Sequence, residues 1–254
     1  MFKLKNKTRR QAQHDKAEIE NVPVHVAIIP DGNRRWAKLH RLPVKAGHKE
    51  GSYTLKKIVK EAHRHGIKYI TFYAFSTENW TRDKKEVNSL MNLMLEFMKN
   101  AEKEIAGDNI VIKVIGDRSG LSLELQEQII RVEKLTRVNN GIILYLAINY
   151  GGRDEIINAA KSIARSVDKG EIGINKIDEK LFGERLYTKD YPDPDLLIRT
   201  SGEQRISNFL LYQLAYTEFY FSEKLWPDFD ENEFRIALIS YQERTRKFGA
   251  GGTQ

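Results

Sequence analysis

The chain has 254 residues, 42 lysines and arginines against 35 aspartates and glutamates, a formal net charge of +7 and a hydrophobic fraction of 41%. That is enough apolar material for a core, which excludes extensive disorder, and the absence of cysteine excludes disulfides, thiolate nucleophiles, iron–sulfur clusters and thiolate zinc sites. The longest charge-free stretches, 138–152 and 206–217, fall short of the roughly 20 apolar residues of a membrane-spanning helix, and the polar N-terminus lacks the apolar segment of a secretory signal.

Residues 1–21 read as a basic tail. Within residues 1–16, Lys3, Lys5, Lys7, Arg9, Arg10 and Lys16 face only Asp15, so the rest of the chain is almost neutral, and residues 22–254 are read as one domain. The tail is expected to be solvated, with a charge that suits anionic lipid headgroups, and the reading favours a cytoplasmic protein that touches the membrane surface at most peripherally. The body shows no basic stripe interleaved with aromatics, so nucleic acid is not an expected partner.

β-Branched and aromatic runs at 24–30, 68–75, 110–116, 142–150, 195–200 and 219–221 predict six strands. Helical patterns lie between them. Residues 50–65 end at Gly66, a C-cap signal, and Asp83 with Glu86 forms a capping-box signature before the stripe Val87, Leu90, Met91, Met94, Met98, Ala101 and Ile105. Amphipathic helices follow at 121–138 and 153–167, and Asp230 with Glu233 repeats the capping signature before Phe234, Leu238 and Tyr241. The alternation predicts an α/β fold around a central, mainly parallel six-stranded sheet flanked by helices.

Ligands of open parallel sheets sit beyond the carboxyl ends of the strands, and three of these ends are polar. The first reads Asp31-Gly32-Asn33-Arg34-Arg35-Trp36. The second reads Ser76-Thr77-Glu78-Asn79-Trp80 with Arg82, and the fifth Arg199-Thr200-Ser201-Gly202-Glu203 with Arg205, Ile206 and Ser207. A carboxylate after an apolar run suits a hard cation that takes its remaining ligands from phosphate and water, and planar guanidinium forks match phosphate oxygens. Ser207 is also expected to open a helix whose free N–H groups accept an anion. Together these residues imply a ligand with more than one phosphate. Known nucleotide loops and the GxSxG nucleophile elbow are absent from the sequence.

The runs HVAIIPDGNRRWA from His25, AGH from Ala46, YAFSTENWTR from Tyr73, INYGGR from Ile148, DPDLLIRTSGEQRISNFLLYQLAYTEFYF from Asp193 and LWPDFDE from Leu225 resemble the cis-prenyltransferases, nearest to their bacterial undecaprenyl diphosphate synthase branch. The resemblance implies an enzyme with Mg²⁺ as cofactor that condenses isopentenyl diphosphate with an allylic diphosphate such as farnesyl diphosphate. The product it suggests is undecaprenyl diphosphate; the alternatives are a specialised short-chain synthase or a non-catalytic subunit of a two-chain synthase. It implies that Asp31 binds the metal, with Glu218 as a second carboxylate, and that Asn79 assists proton removal. Gly32, Asn33, Arg34, Arg35, Trp36 and His48 would grip the allylic diphosphate, and Ser76, Thr77, Glu78, Trp80 and Arg82 would join the two substrate sites. Arg199, Arg205, Ile206 and Ser207 would take isopentenyl diphosphate. A homodimer with an apolar tunnel, walled by the methionine-bearing helix, completes the implied picture. Several positions depart from the family's usual pattern: Arg34 replaces a glycine, Tyr145 an asparagine, and Val44 an arginine whose phosphate contact Arg34 or Lys45 would have to supply, while the family's C-terminal Arg-Phe-Gly-Gly reads Lys247-Phe248-Gly249-Ala250.

Overall fold

The structure, a computed structural model, describes residues 19–104 and 108–244. The basic tail up to residue 18, Ile105 of the expected stripe and the C-terminal Lys247-Phe248-Gly249-Ala250 lie outside the described residues. Six strands form one sheet: β1 (His25–Ile29), β2 (Tyr69–Ser76), β3 (Val111–Ile115), β4 (Ile143–Tyr150), β5 (Leu196–Arg199) and β6 (Glu218–Phe221). Their spatial order is β3-β4-β2-β1-β5-β6, and every neighbouring pair is parallel. The helices are α1 (Asn33–Leu39), α2 (Val44–Arg64), α3 (Lys84–Glu104), α4 (Leu123–Thr136), α5 (Gly152–Asp168), α6 (Glu179–Gly183) and α7 (Glu231–Gln242).

Alternation along the strands divides the core. Val26, Ile28, Ile70, Phe72, Leu144, Leu146 and Ile198 belong to one apolar layer, shared with Leu55, Ile58 and Val59 of α2, Leu90 and Met98 of α3, Ile129 of α4 and Phe234 and Leu238 of α7. Ala27, Ile29, Tyr73, Tyr145, Ala147 and Leu197 face the other way, against Phe209, Leu210 and Leu214. Burial on both faces explains why the strands read as continuous apolar runs. The β2–β4 register slips at Ala74, so Tyr73 and Phe75 enter different layers. Gly66 adopts φ +82° just past α2, as expected of a C-cap glycine.

Two local expectations differ. Residues 33–39, read as a polar strand-end loop, form α1: Gly32 at φ +111° turns the chain and its carbonyl accepts from Trp36 N–H at 2.8 Å. Ser207 opens no helix, because Ser207, Asn208 and Leu210 all have positive φ and the segment runs as turns.

Candidate active site

β1 lies between β2 and β5, so the three polar strand ends of the sequence are neighbours at one edge of the sheet. The chain leaves β1 toward β2 on one side and adds β5 on the other, which is the crevice where open α/β sheets bind ligands. A cavity of ≈ 1360 Å³ opens there, lined by Asp31, Gly32, Asn33, Arg34, Arg35 and His48 from the β1–α2 segment, Ser76, Glu78, Asn79 and Arg82 after β2, and Arg199, Arg205 and Ser207 after β5.

Asp31 is fixed from both directions. Its carbonyl accepts from Thr200 Oγ1 at 2.7 Å and Trp226 N–H at 2.9 Å, and Oδ2 accepts from Arg199 Nη2 at 2.9 Å. Gly32 is needed beside it, because a Cβ there would stand 2.9 Å from Leu225 Cδ2. Arg199 has a side chain only 4% exposed; Nη1 donates to Ser207 Oγ at 2.7 Å and to the Arg205 carbonyl, while its buried Nε has no partner among the described residues. Arg35 reaches toward Asp31 Oδ1 at 3.8 Å and donates to the Ser201 carbonyl at 3.1 Å. After β2, Ser76 N–H donates to Asn79 Oδ1 at 3.2 Å, closing a short turn that presents Asn79 to the cavity. Glu78 accepts from Asn208 Nδ2 at 2.7 Å; partial burial pushes its carboxyl up, but hydrogen bonds from its own backbone, Asn208, Ser76 and Thr77 outweigh that and bring it below the usual value.

Opposite them, Glu86 of α3 gathers Arg82 and Arg34 and lies near His48. Its side chain is 10% exposed and lies 3.1 Å from Arg82 Nη1, 3.6 Å from Arg34 Nη1 and 3.8 Å from His48 Nε2. The last distance is too long for a hydrogen bond, and His48 Nε2 is buried without a partner. Burial, with Arg82 and Arg34 adding to it and Glu86 opposing, brings the His48 imidazole down to about 4, so it is neutral at pH 7. Asn33 Oδ1 is likewise buried and unpartnered. Unsatisfied buried polar atoms around a cavity are what a ligand with its own donors and acceptors would complete. His48, Asn33, Pro30, Ala74 and Leu90 also line a second, apolar cavity of ≈ 100 Å³ between α2 and α3, walled by Leu55, Phe72, Met94, Phe97, Met98 and Trp226. The site therefore joins a cationic basin to an apolar recess.

Some expected site residues point elsewhere. Trp36 donates to Asp228 Oδ1 at 2.7 Å and stacks on His40, so it braces α1. Trp80 donates to Asn149 Oδ1 at 2.7 Å and, with Thr77, borders a separate polar pocket near Asp154. Ile206 packs into the second apolar layer. Glu218 is not brought to Asp31: the register sets it beside Leu196, which pairs with Val26 near the opposite end of β1, and it binds Arg244 at 2.8 Å. Tyr145 stacks on Tyr191 with ring centroids 3.7 Å apart, on the face away from the apolar recess, and Lys45 does not line the cavity. Conversely, Glu86, Lys38, Arg41, Tyr73 and Asn208 belong to the site. Glu86 stands one helical turn after Arg82, a spacing that carries the signal but is masked by its capping signature; the others become visible only when the loops are placed.

A family model described as putative undecaprenyl diphosphate synthase matches residues 29–249. The chain is 48% identical over 244 residues to the isoprenyl transferase of Clostridium perfringens, covering 94% of this chain and 96% of that protein. It is 49% identical over 229 residues to the ditrans,polycis-undecaprenyl-diphosphate synthase, (2E,6E)-farnesyl-diphosphate specific, of Pasteurella multocida, covering 90% and 95%. Among solved structures, lavandulyl diphosphate synthase from Lavandula x intermedia in complex with dimethylallyl diphosphate superposes with a TM-score of 0.87 at 44% identity, covering 90% and 98%.

Proposed function

The chain belongs to the undecaprenyl diphosphate synthase family and is a prenyltransferase, and from that premise we propose that it elongates an allylic diphosphate with isopentenyl diphosphate, forming cis double bonds. One observation carries the reading: a cationic cavity at three adjacent strand ends shares walls with an apolar recess, a shape and polarity matched to a diphosphate headgroup with a hydrocarbon tail. In the reaction the carbon–oxygen bond of the allylic diphosphate breaks, a carbon–carbon bond forms to the isopentenyl double bond, and a proton leaves. Arg34, Arg35 and neutral His48 would hold the departing diphosphate, while the apolar recess keeps water from the electron-poor carbon. Arg199, Arg205 and Ser207 would orient isopentenyl diphosphate, and Asn79 stands ready to assist the proton's departure. Asp31 fits Mg²⁺ held by one protein carboxylate together with diphosphate oxygens and water, since among the described residues no cluster of three acidic or histidine side chains forms a protein cage. When bound, the ion supplies charge neutralisation at the leaving group.

Undecaprenyl diphosphate remains the proposed product, and the size of the recess favours a second reading beside it. At ≈ 100 Å³ the recess admits a short prenyl tail, whereas an eleven-unit chain requires α2 and α3 to part. A short-chain synthase fits the recess without that movement, in keeping with the likeness to lavandulyl diphosphate synthase. A non-catalytic role is disfavoured because Asp31, Arg199 and Ser207 are present, with Arg199 bonded to both of the others. Incubation with Mg²⁺, isopentenyl diphosphate and dimethylallyl, geranyl or farnesyl diphosphate, followed by product mass determination, tests the reading. Eleven-unit products support the first, one- or two-step products the second, and no condensation with any starter overturns both. A homodimer is part of the proposal, and sedimentation tests it. Among the described residues no helix is long and apolar enough to cross a membrane.

A further inference from the structure

The rim of the cavity carries a cation that the chemistry above does not use. α1 ends at Leu39, α2 begins at Val44, and residues 38–45 around this corner are all exposed. Within it Arg41 adopts φ +56°, a left-handed conformation rare for side chains other than glycine, asparagine and aspartate. Its backbone N–H donates to the Lys38 carbonyl at 3.1 Å in the turn that ends α1, a place where glycine is the usual occupant. Arginine gives up backbone ease there, and its side chain gains no protein partner in exchange. Six arginines line the cavity. Arg34 and Arg82 face Glu86, Arg35 and Arg199 face Asp31, and Arg205 pairs with Glu203, whereas Arg41 has no carboxylate partner among the described residues. Backbone strain held at a binding rim by a residue with a free guanidinium points to a ligand.

We propose that Arg41 binds the diphosphate of the allylic substrate, a step that rests on the function proposed above. The side of the cavity decides which substrate. Arg41 and Val44 stand at the α1–α2 corner, Arg34 lines the same cavity from the first turn of α1, and His48, one turn into α2, is shared with the apolar recess; a diphosphate held on this side sends its hydrocarbon tail into that recess. Arg199, Arg205 and Ser207 belong to the β5 loop and serve the other diphosphate. Val44 lines the cavity without a side-chain donor, so Arg41 together with Arg34 makes good the cation missing at position 44.

Arg41→Gly separates binding from structure, because glycine suits φ +56°. Titration of dimethylallyl or farnesyl diphosphate without isopentenyl diphosphate should show the dissociation constant rising about tenfold, the loss of one charge-assisted hydrogen bond, with an unchanged or higher melting temperature. In turnover the allylic KM should rise similarly, while kcat and the isopentenyl diphosphate KM stay within about twofold. Arg41→Lys should fall between, and Lys45→Ala, an exposed cation of the same corner outside the cavity lining, should behave as wild type. Wild-type affinity in Arg41→Gly, equal weakening of both substrates, or a lowered melting temperature overturns the proposal. Failure of the wild-type protein to bind any allylic diphosphate overturns the functional reading as well, whereas wild-type binding with an unaffected variant overturns Arg41 alone.

Discussion

Two histidines at opposite ends of the sheet have the same depressed basicity and opposite circumstances. His25 opens β1 at the amino end and is wholly buried; burial, only partly opposed by the Pro192 carbonyl and the charge of Asp195, brings it down to about 4. Its Nδ1–H donates to the Pro192 carbonyl at 2.7 Å, so Nε2 accepts from Thr71 Oγ1 at 2.8 Å. Tyr191 and Tyr69 close around the ring edge-on. His48, near the carboxyl ends, is also brought down to about 4, yet its Nε2 has no hydrogen-bond partner among the described residues, with Glu86 standing 3.8 Å away. The shift reports desolvation in both places; hydrogen-bond satisfaction is what distinguishes a residue that holds the fold from one that awaits a ligand.

The sharpest break in that symmetry is Asp31→Asn. The amide oxygen still accepts from Arg199, so the fold should persist, but the charge that anchors a metal is gone. Condensation should fall by about 10³ or more, equivalent to about 4 kcal/mol, with melting nearly unchanged; near-normal turnover with wild-type Mg²⁺ dependence would refute the assignment.

His25→Ala should act in the opposite sense. It leaves the Pro192 carbonyl and Thr71 hydroxyl unpaired beside a new cavity, for a loss of about 3 kcal/mol in denaturant unfolding. Substrate affinity of the folded fraction should not change.

Acid should reveal both residues. Each folded pKa lies below the unfolded value of 6.5, so the unfolded chain takes up protons first; the stability each neutral ring contributes is present above pH 6.5 and lost as pH falls toward 4. The loss amounts to about 3 kcal/mol for the fully buried His25 and less for His48, which borders the cavity. Melting temperature against pH should fall across this window, and His25→Ala should flatten most of the slope. Inorganic pyrophosphate should flatten His48's share, since a bound anion favours its protonation; an unchanged slope in both experiments would remove the histidines as the cause.

The smallest expected effect is His48→Gln. The side chain reaches into the cavity without a protein partner, so unfolding free energy should move by less than about 1 kcal/mol while affinity for the allylic diphosphate falls about tenfold. A stability loss as large as that of His25→Ala would show that His48 is structural after all.

Much of the fold was legible in the chain. Six runs of β-branched and aromatic residues matched six strands to within a few residues, because strands buried on both faces carry unbroken apolar patterns. α1 was not legible: Asn33-Arg34-Arg35-Trp36 has no apolar stripe, and its helix depends on the turn at Gly32 and on Trp36 reaching Asp228, far along the chain. The site was legible as residue types but not as contacts. Glu86 carried a capping signature, yet Asp83 Oδ1 accepts from Lys85 N–H while the Glu86 carboxylate faces Arg82 and Arg34. The resemblance implied that Glu218 stands near the metal carboxylate; within one chain, β5–β6 register holds it near the other end of the sheet.

Composition and periodicity by themselves determined an α/β chain with polar carboxyl strand ends, since burial, alternation and capping are local and read along one dimension. Which strand ends meet is a matter of strand order, and order follows from how the helices pack their apolar faces on either side of the sheet. Only the tertiary structure therefore decided that β2, β1 and β5 are neighbours, that Asp31 meets Arg199 across a separation of 168 residues, and that the cationic basin opens onto an apolar recess. It also decided which cations are spent on carboxylates within the protein and which, like Arg41, have none among the described residues, because pairing depends on distances that no sequence spacing sets.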